Sequence, residues 1–212
     1  MQLKARLLGI SPMVWRRLVV PGTCTLRELH GVIQVAMGWE GLHLYQFRLR
    51  AVRYGSWELA AASPEVTLAA LHLRPGARFA YEYDLNIPWR HEVRIEGHLT
   101  AEPGKAYPAC PGGSGPCPPE DCGGPEGYRA GLDEAVSLDA AEDLDTMVEI
   151  LRQVVLERRP AVLDDEETRR RLEDAVARSQ ARGWAQGRPF SRRSVNARLR
   201  RGEHRELMHQ QG

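Results

Sequence analysis

The segment from residue 110 to residue 125 constrains the fold of this chain more than any other, and it reads CPGGSGPCPPEDCGGP. Its prolines lack an amide proton and its glycines weaken regular structure, so it can be neither a helix nor a central strand. We therefore expect something other than a hydrogen-bonded ladder to hold this cysteine loop in place. The thiols of Cys110, Cys117 and Cys122 are the evident means.

Two strands and a helix are predicted before residue 40. Residues 2–10 and 14–20 read as extended segments on either side of a Ser-Pro turn signal. Thr25 and Glu28 form a capping box, which places the start of a helix at Thr25. Apolar residues then recur at helical spacing up to Gly38, which permits the left-handed cap that ends a helix.

Further strands are predicted between this helix and the cysteine loop. They lie at residues 44–49, 52–54, 78–83 and 93–99, with a single helical turn at residues 67–71. Arg16 and Arg17 interrupt the second strand, and we expect them where one face of a sheet meets water. The order of elements predicts an α+β fold, with a mixed or antiparallel sheet crossed on one face by the Thr25–Met37 helix in a β-grasp-like arrangement.

Helical periodicity dominates after the cysteine loop. Helices are predicted at residues 127–136, 140–158 and 165–182, with Asp139 and Asp164 or Asp165 as caps. We expect an apolar stripe on the middle helix to pack on the domain or on a partner, and it comprises Leu144, Met147, Val148, Leu151, Val154 and Val155.

The end of the chain is rich in arginine and poor in apolar residues, which predicts a mobile tail or an exposed short helix. The predicted divisions are an α+β domain at residues 1–135, a helical extension at 136–186 and an arginine-rich tail at 187–212. Protein partners or self-association are expected through the C-terminal helices.

Composition and charge exclude several classes of protein. The formal net charge is +1, so the chain is neither a globally basic nucleic-acid binder nor an acidic disordered protein. The N-terminus lacks the pattern of a secretory signal, and no apolar run reaches the roughly 18 residues that a bilayer span needs. We therefore expect a soluble, cytoplasmic protein without membrane contacts, in which clustered thiols are free or bind metal.

Zinc is the cofactor that the cysteine loop suggests. Six residues separate Cys110 from Cys117 and four separate Cys117 from Cys122, which is not the paired spacing of zinc ribbons. Our choice of a fourth ligand is His91, with His43 and Asp121 as alternatives. The competing interpretation is a loop that its prolines hold rigid, with semi-buried thiols and no metal.

Nucleic-acid binding is suggested by arginines near the C-terminus, with Trp184 or Phe190 available for base stacking. These arginines are Arg188, Arg192, Arg193, Arg198, Arg200, Arg201 and Arg205. The competing interpretation is a solvated tail in a protein whose basic residues are nearly all arginine.

Acid–base or nucleophilic catalysis would need polar side chains to converge near the cysteine loop. The candidates are His43, Asp84, His91, Glu92, Glu120 and Asp121. The competing interpretation gives both histidines structural, hydrogen-bonded roles. No Walker, Rossmann or serine-recombinase pattern is present.

Seven segments carry a family resemblance. In chain order they are Ile10–Arg17, Thr25–His30, Ala36–Trp39, His43–Phe47, Tyr83–Asp84, Trp89–Glu92 and Cys117–Pro125. Together they resemble the plasmid pRiA4b ORF-three-like family, also found as passenger proteins of insertion elements. The resemblance implies an α+β domain linked to mobile elements, with no established activity. This chain has Tyr45 where the family usually carries a second histidine, and it lacks the Gly-Asp pair that the family favours before the tryptophan.

The sequence as a whole predicts a non-enzymatic binding or interaction module associated with plasmids or mobile elements, with nucleic acid as a candidate partner. The alternative is a metal-dependent enzyme that uses His43, His91 and the cysteine loop. A metal with an open coordination position in a cleft would favour the enzyme, and a closed site of four protein ligands would favour a structural metal.

Overall fold

A computed structural model describes residues 1–55 and 59–208, apart from the side chain of Leu138, and divides the chain into two compact units. The first unit comprises residues 1–120 together with the segment that begins at Pro189. The second unit comprises residues 121–188. The predicted division into residues 1–135, 136–186 and 187–212 stays a prediction.

The helices and strands follow one another in the order expected of an α+β protein. In chain order they are β1 (Gln2–Leu7), β2 (Trp15–Val19), α1 (Leu26–Met37), β3 (Tyr45–Leu49), β4 (Val52–Gly55), β5 (Arg78–Tyr83), β6 (Trp89–Gly97), β7 (Ala109–Ser114), α2 (Gly124–Glu134), α3 (Leu138–Leu151), α4 (Glu166–Ala185), α5 (Arg192–Arg201) and α6 (Glu203–Leu207). A π-helical turn at Arg152–Leu156 and a 3₁₀ helix at Pro160–Asp164 connect α3 to α4.

The seven strands form one sheet in the order β4-β3-β5-β6-β1-β2-β7. Every pair of neighbouring strands is antiparallel. Burial alternates along the strands, as in β1, where Leu3, Ala5 and Leu7 are buried and the residues between them are partly exposed. The α+β prediction is confirmed, and β6 is longer than predicted at its start.

Local signals set the limits of α1 as predicted. The Thr25 hydroxyl accepts from the Glu28 amide, and the Glu28 carboxylate accepts from the Thr25 amide. Gly38 ends the helix at φ 92°. The predicted helical turn at residues 67–71 is present as hydrogen-bonded turns, in which the Leu71 amide donates to the Thr67 carbonyl.

Arg16 does not face water, contrary to the prediction. It is 1% exposed, on the same side of β2 as buried Leu18, whereas Arg17 lies on the opposite side. Adjacent residues of a strand point to opposite faces, so only one of two neighbouring arginines can meet water. The apolar residues of the same parity, Val14, Leu18 and Val20, are the signal that could have assigned Arg16 to the buried face.

The start of the cysteine loop is a strand, which corrects the expectation that no ladder holds it. Ala109–Ser114 pairs with β2 and forms one edge of the sheet. Proline and glycine are tolerated at such an edge because only one side needs hydrogen bonds. The backbone of Cys110 is further engaged by the side-chain amide of Asn196, which accepts from its N–H at 2.9 Å and donates to its carbonyl at 2.7 Å.

The described part of the predicted tail, up to Met208, folds back onto the first unit. Val195, Leu199 and Leu207 are buried, α5 packs against β7 and α1, and α6 packs against α1. Three apolar residues at helical spacing are enough to bury one face of two short helices, although arginines surround them in the sequence.

In the second unit, α3 and α4 pack together around a charged group. Asp143 is 5% exposed and accepts hydrogen bonds from Arg178 and Arg182. These arginines lower the pKa of Asp143 to about 2. The N-caps are Ser137, where Asp139 was predicted, and Asp165, one of the two residues predicted for α4.

Most of the apolar stripe predicted to pack is on the surface of the second unit. The large apolar residues of α3 and the following turn that are more than half exposed are Leu144, Val148, Leu151, Val155 and Leu156. Among the described side chains of this helix, the buried apolar one is Ile150. A partner for the C-terminal helices stays a prediction. Among the described residues, no helix combines the length and the apolar character that crossing a membrane requires.

Candidate functional site

Aromatic rings and imidazoles fill the space between α1 and the sheet. His30 of α1 stacks on Tyr45, with ring centroids 3.8 Å apart, and its Nδ1 lies 2.7 Å from the Tyr81 hydroxyl. Trp39 contacts the rings of Tyr83 and His91. These side chains are nearly or completely buried, so the cluster is part of the core of the first unit.

The end of the cysteine loop is fastened to this cluster by its backbone and by Glu120. The indole N–H groups of Trp39 and Trp89 donate to the carbonyls of Pro118 and Glu120 at 2.8 and 3.0 Å. The Tyr83 hydroxyl donates to the Glu120 carboxylate, which also accepts from the Glu40 amide at 2.7 Å. Burial and the hydrogen bond to Glu120 raise the pKa of Tyr83, so this phenol is a neutral donor. These hydrogen bonds therefore hold this end of the loop against the core of the first unit.

The two imidazoles of the cluster are neutral. Burial lowers the pKa of His30 to about 3 and that of His91 to about 4. His91 Nδ1 lies 3.1 Å from the Trp89 carbonyl, which fixes a proton on that nitrogen. Both rings are 0% exposed. Because both rings are completely buried, a substrate in solution cannot reach them, and they are core residues.

The buried histidines predict a specific acid sensitivity. An unfolded histidine titrates near pH 6.5, so between about pH 6 and 5 the unfolded state holds a proton on His91 that the folded state does not. A depressed folded pKa means that stability is present above the unfolded pKa and is lost as the pH falls. We expect His91→Asn to reduce the slope of the unfolding free energy against pH by about 1.4 kcal/mol per pH unit in this window.

Urea unfolding at several pH values measures this slope. His30→Asn serves as the second single variant, and the double variant should lose the sum of the two slopes. Parallel wild-type and variant profiles would show that these rings are protonated in the folded protein.

The structure does not assemble the predicted zinc site. His91 lies on β6 and Cys110 on β7, three strand spacings apart in the sheet, or about 14 Å. Cys110 and Cys117 are buried, and Cys122 belongs to the second unit. Within residues 1–55 and 59–208, no three His, Cys, Asp or Glu side chains are grouped as metal ligands. His91 is therefore not a partner for Cys110, and zinc binding stays a prediction.

Only part of the predicted catalytic set converges. The His43 ring lies edge-on to Tyr83, whose hydroxyl donates to Glu120. Glu92 instead lies on the other face of the sheet, bonded to Arg6 and Arg78. Asp84 turns the chain after β5 by accepting from the Asn86 amide, and Asp121 belongs to the second unit. The alternative of a metal-dependent enzyme gains no assembled site from these residues.

The face of the sheet opposite α1 carries a row of four cations. Arg17 of β2 pairs with Lys4 of β1, Lys4 with Arg94 of β6, and Arg94 with Arg78 of β5. Residues that are directly paired in antiparallel strands point to the same side, about 5 Å apart. Like charges in this arrangement repel one another, so the cationic row stores unfavourable electrostatic energy in the isolated protein.

Carboxylates on this open sheet face neutralise only part of its charge. Glu92 pairs with Arg6 and Arg78, and Glu96 pairs with Arg17 at 2.6 Å. Lys4 and Arg94 form no ion pair with any described carboxylate. The basic residues of the face are Lys4, Arg6, Arg17, Arg48, Arg53, Arg78, Arg90 and Arg94, and the acidic ones are Glu82, Glu92 and Glu96.

Trp15 gives the open sheet face an aromatic surface next to the cationic row. The Lys4 ammonium lies 4.5 Å from the Trp15 ring centroid and the Arg17 guanidinium 5.3 Å from it. An aromatic ring beside several cations can stack a base and neutralise phosphates. The sequence carried one signal of this surface, the alternation of Lys4 and Arg6 with buried residues, but the pairing of β1 with β2 and β6 was not predictable.

The predicted C-terminal arginines lie elsewhere. Arg192, Arg193, Arg200, Arg201 and Arg205 are exposed on α5 and α6, whereas Arg198 pairs with Glu203 at 2.5 Å. Arg188 and Trp184 are exposed in the second unit. Phe190 lies against buried Arg16, whose guanidinium is 4.4 Å from the ring centroid.

Comparisons with known proteins agree with the resemblance read from the sequence. The model of a family described as "Plasmid pRiA4b ORF-3-like protein" matches residues 1–167. The uncharacterized protein y4hQ of Sinorhizobium fredii (strain NBRC 101917 / NGR234) is 41% identical over 134 residues, which cover 60% of this chain and 69% of that protein. A protein of unknown function from Methanosarcina mazei Go1, MM3350, has a crystal structure similar to this chain at a TM-score of 0.61 and 31% identity, covering 65% of this chain and 81% of that one.

Proposed function

We propose that this chain, which belongs to the plasmid pRiA4b ORF-3-like protein family, is a binding module for single-stranded nucleic acid. The open sheet face is the binding surface. The observation that supports this proposal most directly is the cationic row of Arg17, Lys4, Arg94 and Arg78 across four neighbouring strands. A polyanion that lies along this row relieves the repulsion within it.

The shape and chemistry of the face favour a single strand over a duplex. A sheet face presents a broad surface on which unstacked bases can lie against an aromatic ring, here Trp15. Arg48, Arg90 and Arg94 are exposed on the same face and can reach phosphates, although Arg48 and Arg90 also contact Glu82. The chemistry is that of neutralisation and stacking, so we expect little dependence on base sequence.

The salt dependence of binding tests the proposal. We expect a labelled oligothymidylate to bind with a slope of log K against log salt of about −3, since each of four neutralised phosphates on a single strand contributes about −0.7. Fluorescence anisotropy over a series of KCl concentrations measures it. A duplex of equal length should bind more weakly. Affinity that ignores salt, or stronger binding to the duplex, would contradict the proposal.

A charge-matched pair of variants locates the surface. Lys4→Gln combined with Arg94→Gln removes the two row cations without ion pairs, and we expect it to flatten the slope by about 1.4. Arg193→Gln combined with Arg200→Gln removes two exposed cations from α5 and should leave the slope unchanged. The opposite result would move the interface to α5, where the sequence predicted it.

A further inference from the structure

A groove at one end of the sheet of the first unit lies apart from the centre of the open sheet face. It has a volume of about 540 Å³ and lies between the β3–β4 turn and residues 71–77. This volume is typical of sites for small organic ligands. Leu49, Val52, Tyr54 and Phe79 give it an apolar and partly aromatic lining.

The polar side chains of this groove are all basic. Arg50, His72, Arg74 and Arg78 line it, and none of its described lining residues carries a carboxylate. Of the three arginines, Arg78 has an ion pair, with Glu92 at 3.2 Å. Arg50 and Arg74 have no carboxylate partner in the described part of the chain. The groove therefore combines an apolar and partly aromatic lining with uncompensated positive charge, which suits an anion attached to a flat aromatic ring.

The backbone gives a second and independent indication at the same place. Arg50 has φ 54° and His72 has φ 48°, so both occupy the left-handed region. Glycine or asparagine adopts this region at lower energy, and a two-residue hairpin turn such as the one at Arg50 ordinarily carries one of them. Strained backbone positions cluster at ligand-binding sites. Two of them beside one groove favour a role in binding for the side chains of Arg50 and His72.

We infer that this groove binds a small phosphate ester that carries a flat ring, the chemistry of a nucleoside monophosphate. Arg50 and Arg74 pair with the phosphate, and the ring lies against Tyr54 and Val52. A free nucleotide and the terminal nucleotide of a strand share this chemistry. The groove does not depend on the proposed function of the open sheet face, although Arg78 borders both surfaces.

A chemical-shift titration of ¹⁵N-labelled full-length protein with AMP tests the inference. We expect saturable shifts at Arg50 and Arg74, a Kd below about 1 mM, and at least tenfold weaker binding of adenosine or of inorganic phosphate alone. Adenosine binding as tightly as AMP, or no saturation by AMP in this range, would overturn it.

The strained turn at Arg50 allows a variant that should fold as well as the wild type. Arg50→Gly should weaken AMP binding at least tenfold while the melting temperature stays the same or rises, because glycine removes the strain. Ala60→Gly is the matched control, since Ala60 also has a positive φ, 48°, but does not line the groove. It should leave AMP affinity unchanged. Equal AMP affinity of Arg50→Gly and the wild type would overturn the inference.

Two further comparisons separate the possible sources of the ligand and the two proposals. Oligothymidylates with and without a 5′-phosphate distinguish a strand end from a free nucleotide. A tenfold preference for the phosphorylated strand identifies the strand end as the ligand, and equal affinity identifies the free nucleotide.

The Lys4→Gln, Arg94→Gln variant should bind AMP as the wild type does. If it loses oligonucleotide binding but retains AMP binding, the groove stands independently of the open sheet face, and loss of AMP binding would overturn that independence.

Discussion

Replacing Gly31 by alanine is expected to destabilise the first unit by about 3 kcal/mol. Gly31 lies in the middle of α1, where the backbone of α6 passes directly over it. A Cβ atom there would overlap the carbonyl oxygen of His204 and lie 3.1 Å from Met208 Cγ. Neither the carbonyl of a helix nor the centre of α1 can move without disturbing its neighbours, so α6 must shift or detach.

Urea unfolding and limited trypsin digestion measure this effect. Detachment of α6 should expose the C-terminal arginines to cleavage well before the sheet unfolds. Gly183→Ala is the matched control, because Gly183 is also helical but has no neighbouring heavy atom within 4 Å of the added Cβ. It should stabilise the protein by up to about 1 kcal/mol through helix propensity. A Gly31→Ala protein as stable and protected as the wild type would refute the docking of α6 on α1.

Replacing Arg16 by methionine is expected to lower stability by about 3–5 kcal/mol. The guanidinium donates to the carbonyls of Ala36, Trp15, Ser114 and Gly115 at 2.8 to 3.2 Å. Methionine fills similar volume but donates nothing, which leaves buried carbonyl groups of α1 and of the β7 segment without partners. Arg16→Lys should lose part of this stability as well, because an ammonium cannot reproduce the planar fork.

Arg17→Met is the control for this prediction. Arg17 is the next residue of the same strand, but its side chain is 37% exposed and pairs with Glu96 on the open sheet face. Its loss should reduce the unfolding free energy by about 1 kcal/mol or less. Urea denaturation of both variants compares them directly, and equal losses would mean that burial of Arg16 contributes little.

The two arginines show how far the sequence could be interpreted. Strand β2 itself was predictable, since its apolar residues alternate. The same alternation also indicated that Arg16 points inward. A charged residue is ordinarily predicted to face solvent, however, even at a position where the pattern calls for an apolar one. Only the positions of the α1 and β7 carbonyls explain why a guanidinium is stable there.

In the candidate site, too, the sequence indicated some features and only the structure revealed the others. The cationic alternation of Lys4 and Arg6 is visible along β1, whereas the row from Arg17 to Arg78 depends on which strands are neighbours and on their register. The pairing of β1 with β6 joins distant parts of the chain, so the pattern along either strand does not predict it. The strained positions of Arg50 and His72 had no sequence signal, because neither residue type indicates a positive φ.

The amino-acid sequence determined the elements whose causes are local. The capping box at Thr25, the glycine stop at Gly38 and the two-residue alternation of the strands each involve neighbours within a few positions, and the α+β class followed from their order. The tertiary structure decided what depends on distant partners: the edge position of β7, the return of the C-terminal helices to α1, and the assembly of one basic sheet face. A hydrogen bond such as that between Asn196 and Cys110 joins residues 86 positions apart, and only the folded chain brings them within reach of each other.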